Sequence, residues 1–313
     1  MNLCGEESKK SSPQYILPIL ERFLLILHKS FILLNMKTSL LIAAFVGSTI
    51  FFSCGGNKSS QEQTEPEPTR TLVLYYSQTG VTKQVADEIQ RQLGADIDSI
   101  VPVESYGYDY DATIERWRKE KEDSVKVAIK PLNRNVNEYD TIFLGFPIWG
   151  GTYASPVETW LADNKLDGKT IITFATFGSG GIEPATLSVA AEEPASNVIE
   201  GYGVRSARIT KTPDEINHWL IESGYKNGEI DPLPEFGESQ PVTEEDREIF
   251  NQACGDYKFP LGTPISVATR TYNDRTDYKF DVKNERPDGT ESTSTIYVTA
   301  IPGEKPEFTR VVR

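Results

Sequence analysis

From Thr71 to Ser223 the chain alternates short, nearly unbroken apolar runs with segments of helical period, and few folds accommodate that alternation. Thr71–Tyr76 reads Thr-Leu-Val-Leu-Tyr-Tyr, the composition of a strand buried on both faces. Val81, Val85, Ala86, Ile89 and Leu93 follow at helical spacing, and Gly94 stands where a helix C-cap glycine belongs. Further strands are predicted at Asp96–Val103, Thr141–Phe146, Thr170–Thr176 and, interrupted by glycine, Asn197–Val204. Between and after them lie helices at Asp111–Lys126, Pro156–Ala162, Pro184–Ala191 and Pro213–Ser223. Such a pattern implies right-handed crossovers and an α/β domain over residues 70–225: a doubly wound, five-stranded parallel sheet covered on both faces. In such sheets ligands bind beyond the carboxyl ends of the strands. The loops after the first, third and fourth strands are therefore the candidate site.

Composition removes several alternatives. With 313 residues and a net charge of −14, the chain repels nucleic acid and favours basic partners. The first 53 residues carry five Lys/Arg against three Asp/Glu, which leaves the remainder near −16. Cys4, Cys54 and Cys254 form no Cys-x-x-Cys pair, and His28 and His218 are the only histidines. No metal site and no Ser-His-Asp triad is expected from that inventory.

The first of the three loops reads Tyr76-Ser77-Gln78-Thr79-Gly80-Val81-Thr82. Hydroxyls and a glycine lie between a buried strand and a helix start, where backbone N–H groups and the helix dipole favour an anion. No Arg or Lys lies within Ser77–Thr82, so a phosphate would be held mainly by neutral donors, with Lys83 the nearest cation. The segment is neither a Walker loop nor Gly-x-Gly-x-x-Gly. A Ser/Thr-capped helix start with no ligand is the alternative reading. The second loop, Gly145-Phe146-Pro147-Ile148-Trp149-Gly150-Gly151-Thr152-Tyr153, places what reads as an exposed tryptophan among glycines, and aromatic faces stack on flat ligands. The third, Thr176-Phe177-Gly178-Ser179-Gly180-Gly181, is glycine-rich at the same sheet edge.

Ser77, Thr79, Gly80 and Thr82 complete the pattern Ser/Thr-x-Thr-Gly-x-Thr, and this segment resembles the FMN phosphate loop of flavodoxins. The resemblance covers Thr71 to about Ser223. It implies non-covalent FMN, with Ser77, Gln78, Thr79, Gly80, Val81 and Thr82 around the phosphate. Pro147, Ile148, Trp149 and Gly150 are implied on one side of the isoalloxazine ring, and Phe177, Gly178, Ser179, Gly180 and Gly181 on the other. The third loop lacks the tyrosine that many flavodoxins place on the outer ring face, which leaves Trp149 or Phe177 to cover a face. Tyr108-Asp109-Tyr110 and Tyr139-Asp140 resemble a pattern of a bacterial flavodoxin subfamily and read as structural, with Tyr108 or Tyr110 able to reach the rim.

Residues 1–53 read as an address. Met36-Lys37-Thr38-Ser39, the apolar run Leu40–Phe52 and Ser53-Cys54 have signal-peptide anatomy, with residues before Met36 an upstream extension if that methionine starts the chain. Phe51-Phe52-Ser53-Cys54 resembles a bacterial lipobox, which implies lipidation of Cys54 and a membrane anchor; an unlipidated signal peptide is the alternative. Residues 54–69 are a flexible tether.

At the other end, residues 226–241 contain three prolines and read as a linker. Residues 242–313 read as a small α+β domain. A helix starts at Thr243-Glu244-Glu245-Asp246, and strands follow at Ile265–Tyr272, Asp277–Val282, Ser294–Ala300 and Phe308–Val312. One helix on an antiparallel sheet resembles a cystatin-like domain. The stretch that should carry that family's inhibitory Gln-x-Val-x-Gly reads Thr269-Arg270-Thr271-Tyr272-Asn273, which points to an interaction or packing module instead.

Taken together, the expectation is a one-electron carrier at the cell envelope, periplasmic or at the outer membrane, serving a redox protein with a basic docking face. An acidic domain around an apolar ring site should push the second reduction of the flavin to low potential. The alternatives are an FMN-dependent NAD(P)H:quinone or flavin reductase, and a flavin-free interaction lipoprotein on the same fold.

Overall fold

A computed structural model describes residues 70–285 and 289–312. The expected signal segment, the tether and Cys54 lie outside the described residues.

Residues 70–225 form the doubly wound sheet. Its parallel strands are β1 (Thr71–Tyr75), β2 (Asp96–Ser99), β3 (Thr141–Trp149), β5 (Thr170–Phe177) and β6 (Asn197–Arg205), in the order β2-β1-β3-β5-β6. A two-residue strand, β4 (Thr152–Tyr153), pairs antiparallel with the end of β3. Alternation along β1 sends Leu72, Leu74 and Tyr76 to one face and Val73 and Tyr75 to the other. The first face is covered by α2 (Tyr110–Glu122), α3 (Ser155–Asp163) and α4 (Glu183–Glu192), through residues such as Trp117, Trp160, Leu161, Ala185 and Val189. The second is covered by α1 (Val81–Leu93) and α5 (Thr212–Glu222), through Val85, Ala86, Ile89, Ile216 and Leu220. Close layering at the centre depends on Gly145, where a Cβ would stand 2.0 Å from the Phe174 ring.

Three elements of this domain differ from expectation. α2 ends at Glu122 rather than Lys126, with Asp123 at its C-cap and Ser124 turned to φ 51° just beyond. β2 ends at Ser99 rather than Val103, because the chain beyond it leaves β1 and pairs with residues 128–130: Lys130 N–H donates to Val101 O and Val103 N–H to Ala128 O, both at 2.8 Å. Within β2, Asp98 is buried. Its carboxylate accepts from the backbone N–H groups of Asn133 (2.6 Å) and Arg134 (2.8 Å), so it anchors the returning loop. β3 runs three residues past Phe146, as far as Trp149, because Gly150 (φ 57°) and Gly151 (φ 88°) close a two-residue hairpin onto β4. Positive φ at both central residues is the hairpin geometry that matches strand twist.

The C-terminal domain is a meander, β11-β10-β9-β8-β7, with one helix. Its strands are β7 (Gln240–Pro241), β8 (Thr263–Tyr272), β9 (Arg275–Glu285), β10 (Glu291–Ala300) and β11 (Glu307–Val312). Helix α6 (Glu244–Cys254) begins with a capping box: Asp246 N–H donates to the Thr243 hydroxyl at 3.2 Å, and Thr243 N–H donates to the Asp246 carboxylate at 2.9 Å. Phe250 and Cys254 of α6 pack on Val267, Phe280, Val282, Ile296, Val298, Phe308 and Val311. The end of the predicted linker joins this sheet: Gln240 and Pro241 pair with β8, and Gly237 N–H donates to Thr269 O at 2.9 Å.

The two domains belong to one compact unit. Arg208 lies between Glu215 of its own domain (2.6 Å) and Glu307 of β11 (3.0 Å), and Lys211 pairs with Glu304 at 3.1 Å.

Candidate functional site

The strand order turns back at β1, with β2 on one side and β3 on the other, and a ligand crevice belongs outside the carboxyl ends of the strands at such a point. The segment Ser77–Thr82 leaves β1 there. Gly80 is the N-cap of α1 at φ 88°, a conformation that L side chains rarely adopt. It brings no capping side chain, and the first helix bond runs from Gln84 N–H to Gly80 O at 3.2 Å. The N–H groups before it therefore face outward from the helix end. Ser77 Oγ is buried and has no partner among the described residues. Thr79 is exposed. Thr82 is buried, and its hydroxyl is bonded at 2.8 Å to that of Thr176 on β5. Lys83 is held by Asp87, at 2.6–2.7 Å. The Gln78 amide donates to Gly107 O (3.0 Å) and to Thr113 Oγ1 (2.6 Å), tying this loop to the start of α2. Val81 opens the helix half-buried.

The second loop corrects an expectation. Trp149 is not exposed: 7% of it meets solvent. The hairpin rolls its ring inward against Tyr106 (centroids 4.8 Å apart) and Tyr76 (5.8 Å), both edge-to-face. Gly150 stays at the surface with its Cα against Trp117, where a Cβ would stand 2.1 Å from the indole. Pro147 and Ile148 are half-buried. Tyr106 is held in turn by Glu120, which accepts from its hydroxyl at 2.6 Å, and by the Arg116 guanidinium 3.9 Å over its ring. Burial and the Glu120 carboxylate push the Tyr106 phenol well above its ordinary range.

Phe177, in the third loop, is the other aromatic offered as a cover for a ring face. It is 5% exposed and packs toward Gly203 and Ile182, so it offers no free face either. Beyond it the loop is open. A Cβ at Gly178, Gly180 or Gly181 would meet nothing within 4 Å. Two groups hold the loop from behind: Arg205 Nε donates to Gly178 O at 2.7 Å, and Val311 N–H of β11 donates to Ser179 O at 2.9 Å. The Tyr108–Tyr110 stretch proves structural in one part and exposed in another. Asp109 caps α2 by accepting from Ala112 N–H at 2.7 Å, while Tyr108 and Tyr110 are 84% and 69% exposed. Tyr139 donates to Asp96 at 2.8 Å, and Asp140 accepts from Arg70 N–H at 3.0 Å, both away from the crevice.

Residues 70–223 match the family model described as flavodoxin. This domain belongs to the flavodoxin family. No curated protein matches the chain. Among solved structures, a protein from Bacteroides uniformis assigned as a flavoprotein is 29% identical, over 48% of this chain and 98% of its own, with a TM-score of 0.43. A counterpart from Bacteroides eggerthii is 26% identical over 49% and 99%, with a TM-score of 0.42. A flavoprotein from Lactobacillus acidophilus solved in complex with FMN is 23% identical over 49% and 99%, with a TM-score of 0.39.

Three features of this flavodoxin domain escaped the sequence reading. The Thr82–Thr176 hydroxyl pair joins residues 94 apart, and nothing local marks Thr176 as its partner. The Tyr76–Tyr106–Trp149 cluster draws on two distant loops. Arg205 stands at the end of a strand, where an arginine is unremarkable until its partners are known. The paired glycines Gly150 and Gly151, by contrast, were a legible hairpin signal that would have turned Trp149 inward.

Proposed function

We propose that the protein binds FMN non-covalently across the three loops and serves as a one-electron carrier, held at the cell envelope by a lipid on Cys54. The observation that carries the cofactor assignment is Ser77 Oγ, a buried hydroxyl without a partner among the described residues, beside an uncapped helix end. A buried polar group left unpaired costs on the order of 1–3 kcal/mol, and a phosphate oxygen would satisfy it. The donor set suits a phosphate: the Ser77 and Thr79 hydroxyls and the outward N–H groups of the loop, with Lys83 already engaged by Asp87. The third loop suits the ring edge, because its three glycines leave the backbone open to a flat ligand.

FMN would supply single-electron chemistry, and the protein the binding and the electrostatics. Ser77 and Thr79 hold the phosphate, Gly150 and the Gly178–Gly181 backbone flank the ring, and the buried Trp149–Tyr76–Tyr106 cluster fixes the floor beneath the second loop. The acidic chain, at −14 overall, favours a basic redox partner.

Titration of the apoprotein tests the reading. FMN is expected to bind far more tightly than riboflavin, which lacks the phosphate. Equal affinity, or no flavin binding, would refute it. Rapid NAD(P)H oxidation by the loaded protein would make it a reductase instead. Mass spectrometry of the mature N-terminus should find an acylated Cys54, and an unmodified terminus elsewhere would remove the anchor.

A further inference from the structure

We propose that the C-terminal domain is a working part of the flavin site, holding the Gly178–Gly181 loop in shape through Val311 and Arg205 and so setting the affinity and potential of the bound flavin. This rests on the FMN reading above and extends it to residues outside the flavodoxin domain.

The loop needs external support. Three of its four residues are glycine, with the largest backbone freedom of any residue and no side chains to pack. Two of its carbonyls are met by named donors. Val311 reaches Ser179 O at 2.9 Å from the outer edge of β11, in a domain that begins some 60 residues further along the chain. Arg205 closes the second connection: Nε donates to Gly178 O at 2.7 Å, and Nη1 donates to Phe308 O of β11 at 2.6 Å. One rigid guanidinium therefore reads the loop and the C-terminal strand together, a task suited to its planar fork of donors.

The surroundings of Arg205 add an independent argument. Its guanidinium lies 4.1 Å over the Phe308 ring and 5.4 Å from that of Tyr257, both from the C-terminal domain. No ion pair to Arg205 occurs among the described residues. Burial pulls its pKa below the ordinary 12.5, so the site bears the cost of a desolvated cation. Glu307, the carboxylate whose charge reaches Arg205, is bonded to Arg208 instead, so the positive charge one hydrogen bond behind the loop has no direct ion-pair partner among the described residues and favours negative charge on a ligand in front of it. It also opposes the low potential that the acidic composition alone suggests. The domain reaches the second loop as well: Phe259, 54% exposed, lines a cleft of about 860 Å³ together with Gly150, Tyr110 and Trp117.

The test uses full-length apoprotein, titrated with FMN, followed by redox titration of the bound flavin. Four variants are compared with wild type: Arg205→Gln, Arg205→Lys, Val311→Pro and, as control, Glu304→Gln. Proline removes the Val311 N–H at an edge strand, where it is best tolerated. Arg205→Gln should weaken FMN by about tenfold or more, the loss of one charge-assisted hydrogen bond, and lower the flavin potential. Arg205→Lys should keep the potential near wild type while losing affinity, since the charge survives and the fork does not. Val311→Pro should lose affinity without a change of charge. Glu304→Gln, which breaks only the exposed pair with Lys211, should match wild type. Thermal melts confirm that each variant is folded; if Arg205→Gln is not, the lysine and proline variants carry the test. If wild type binds FMN and these variants equal it in affinity and potential, the inference falls and the FMN reading stands. If wild type binds no FMN, both fall.

Discussion

Ser77 is where a single atom can be made to report on the site. Ser77→Ala removes a hydroxyl that has no partner among the described residues, so its loss should leave folding intact and fall on ligand alone. A hydrogen bond to a charged group contributes roughly 1.5–3 kcal/mol. FMN affinity should therefore drop about 10- to 150-fold, with little change for riboflavin, as measured by fluorescence titration. Thr82→Ala should behave differently. It breaks a buried pair with Thr176, so a lower melting temperature is expected along with any change in affinity. Two residues away from the crevice give further checks. Burial pushes the Cys254 thiol up to about 12, and because the thiolate is the reactive form, peptide mapping after thiol labelling near pH 8 should find Cys254 unmodified in the folded protein. Glu193, 3% exposed, has its pKa raised above 4.5 mainly by desolvation. The folded chain then holds this proton to higher pH than the unfolded chain, so the associated cost is absent below about pH 4.5 and grows as pH rises through the folded value. Glu193→Gln should raise the melting temperature more at about pH 7 than at about pH 4. At this scale the sequence placed the Ser77–Thr82 segment correctly between β1 and α1, because its residues are contiguous and the signals that bound it are local. It misled for Trp149 and Phe177, because whether an aromatic faces ligand or core depends on partners such as Tyr106 and Gly203 that lie 43 and 26 residues away in the chain.

Strand β6 shows how one element carries information that its composition conceals. Its register against β5 shifts between Thr173 and Phe174: Glu200 pairs with Thr173 and Tyr202 with Phe174, which leaves Gly201 as the extra residue of a bulge. A Cβ at Gly201 would stand 2.4 Å from Thr173 O, backbone that cannot swing aside. Because side chains alternate with period two, inserting one residue changes which face every later side chain takes. The bulge thus places Arg205 opposite Phe177, at the mouth of the third loop. Gly201→Ala should destabilise the fold by about 1–3 kcal/mol, the usual cost of overpacking. It should also weaken FMN binding in the folded fraction, and denaturant melts beside titration would separate the two effects. The sequence marked this strand as interrupted by glycine, yet did not say that the interruption sets the direction of an arginine four residues on. It likewise placed β2 but overran its end, since residues 101–103 pair with residues 128–130, which a local pattern does not reveal.

Across the whole molecule, two domains with separate cores share one interface. The clusters on the two faces of the parallel sheet draw on residues up to Tyr225, and the third lies wholly within the C-terminal domain. A chain ending at Gly228 is accordingly expected to fold and still bind FMN, with affinity reduced by the loss of Val311 and Phe308; failure to fold would place the domain boundary elsewhere. The two-domain plan was legible because a change of period, from strand–helix alternation to an antiparallel meander, is a local property of sequence. The interface was not. Its bonds join residues about a hundred apart, Arg205 with Phe308 and Arg208 with Glu307, and no pattern within either segment announces the other.

The clamp at Arg205 has a corollary for descent. An arginine whose donors are divided between the Gly178–Gly181 loop and the backbone of a later strand is fully used only where both are encoded. Among relatives, the residue aligned with Arg205 should be free to drift in chains that stop after the flavodoxin domain, and should be retained where a strand equivalent to β11 follows. Since Phe308 contributes a main-chain carbonyl, its own side chain need not vary in step. What must be inherited together is the arginine, the bulge that aims it and the presence of the final strand.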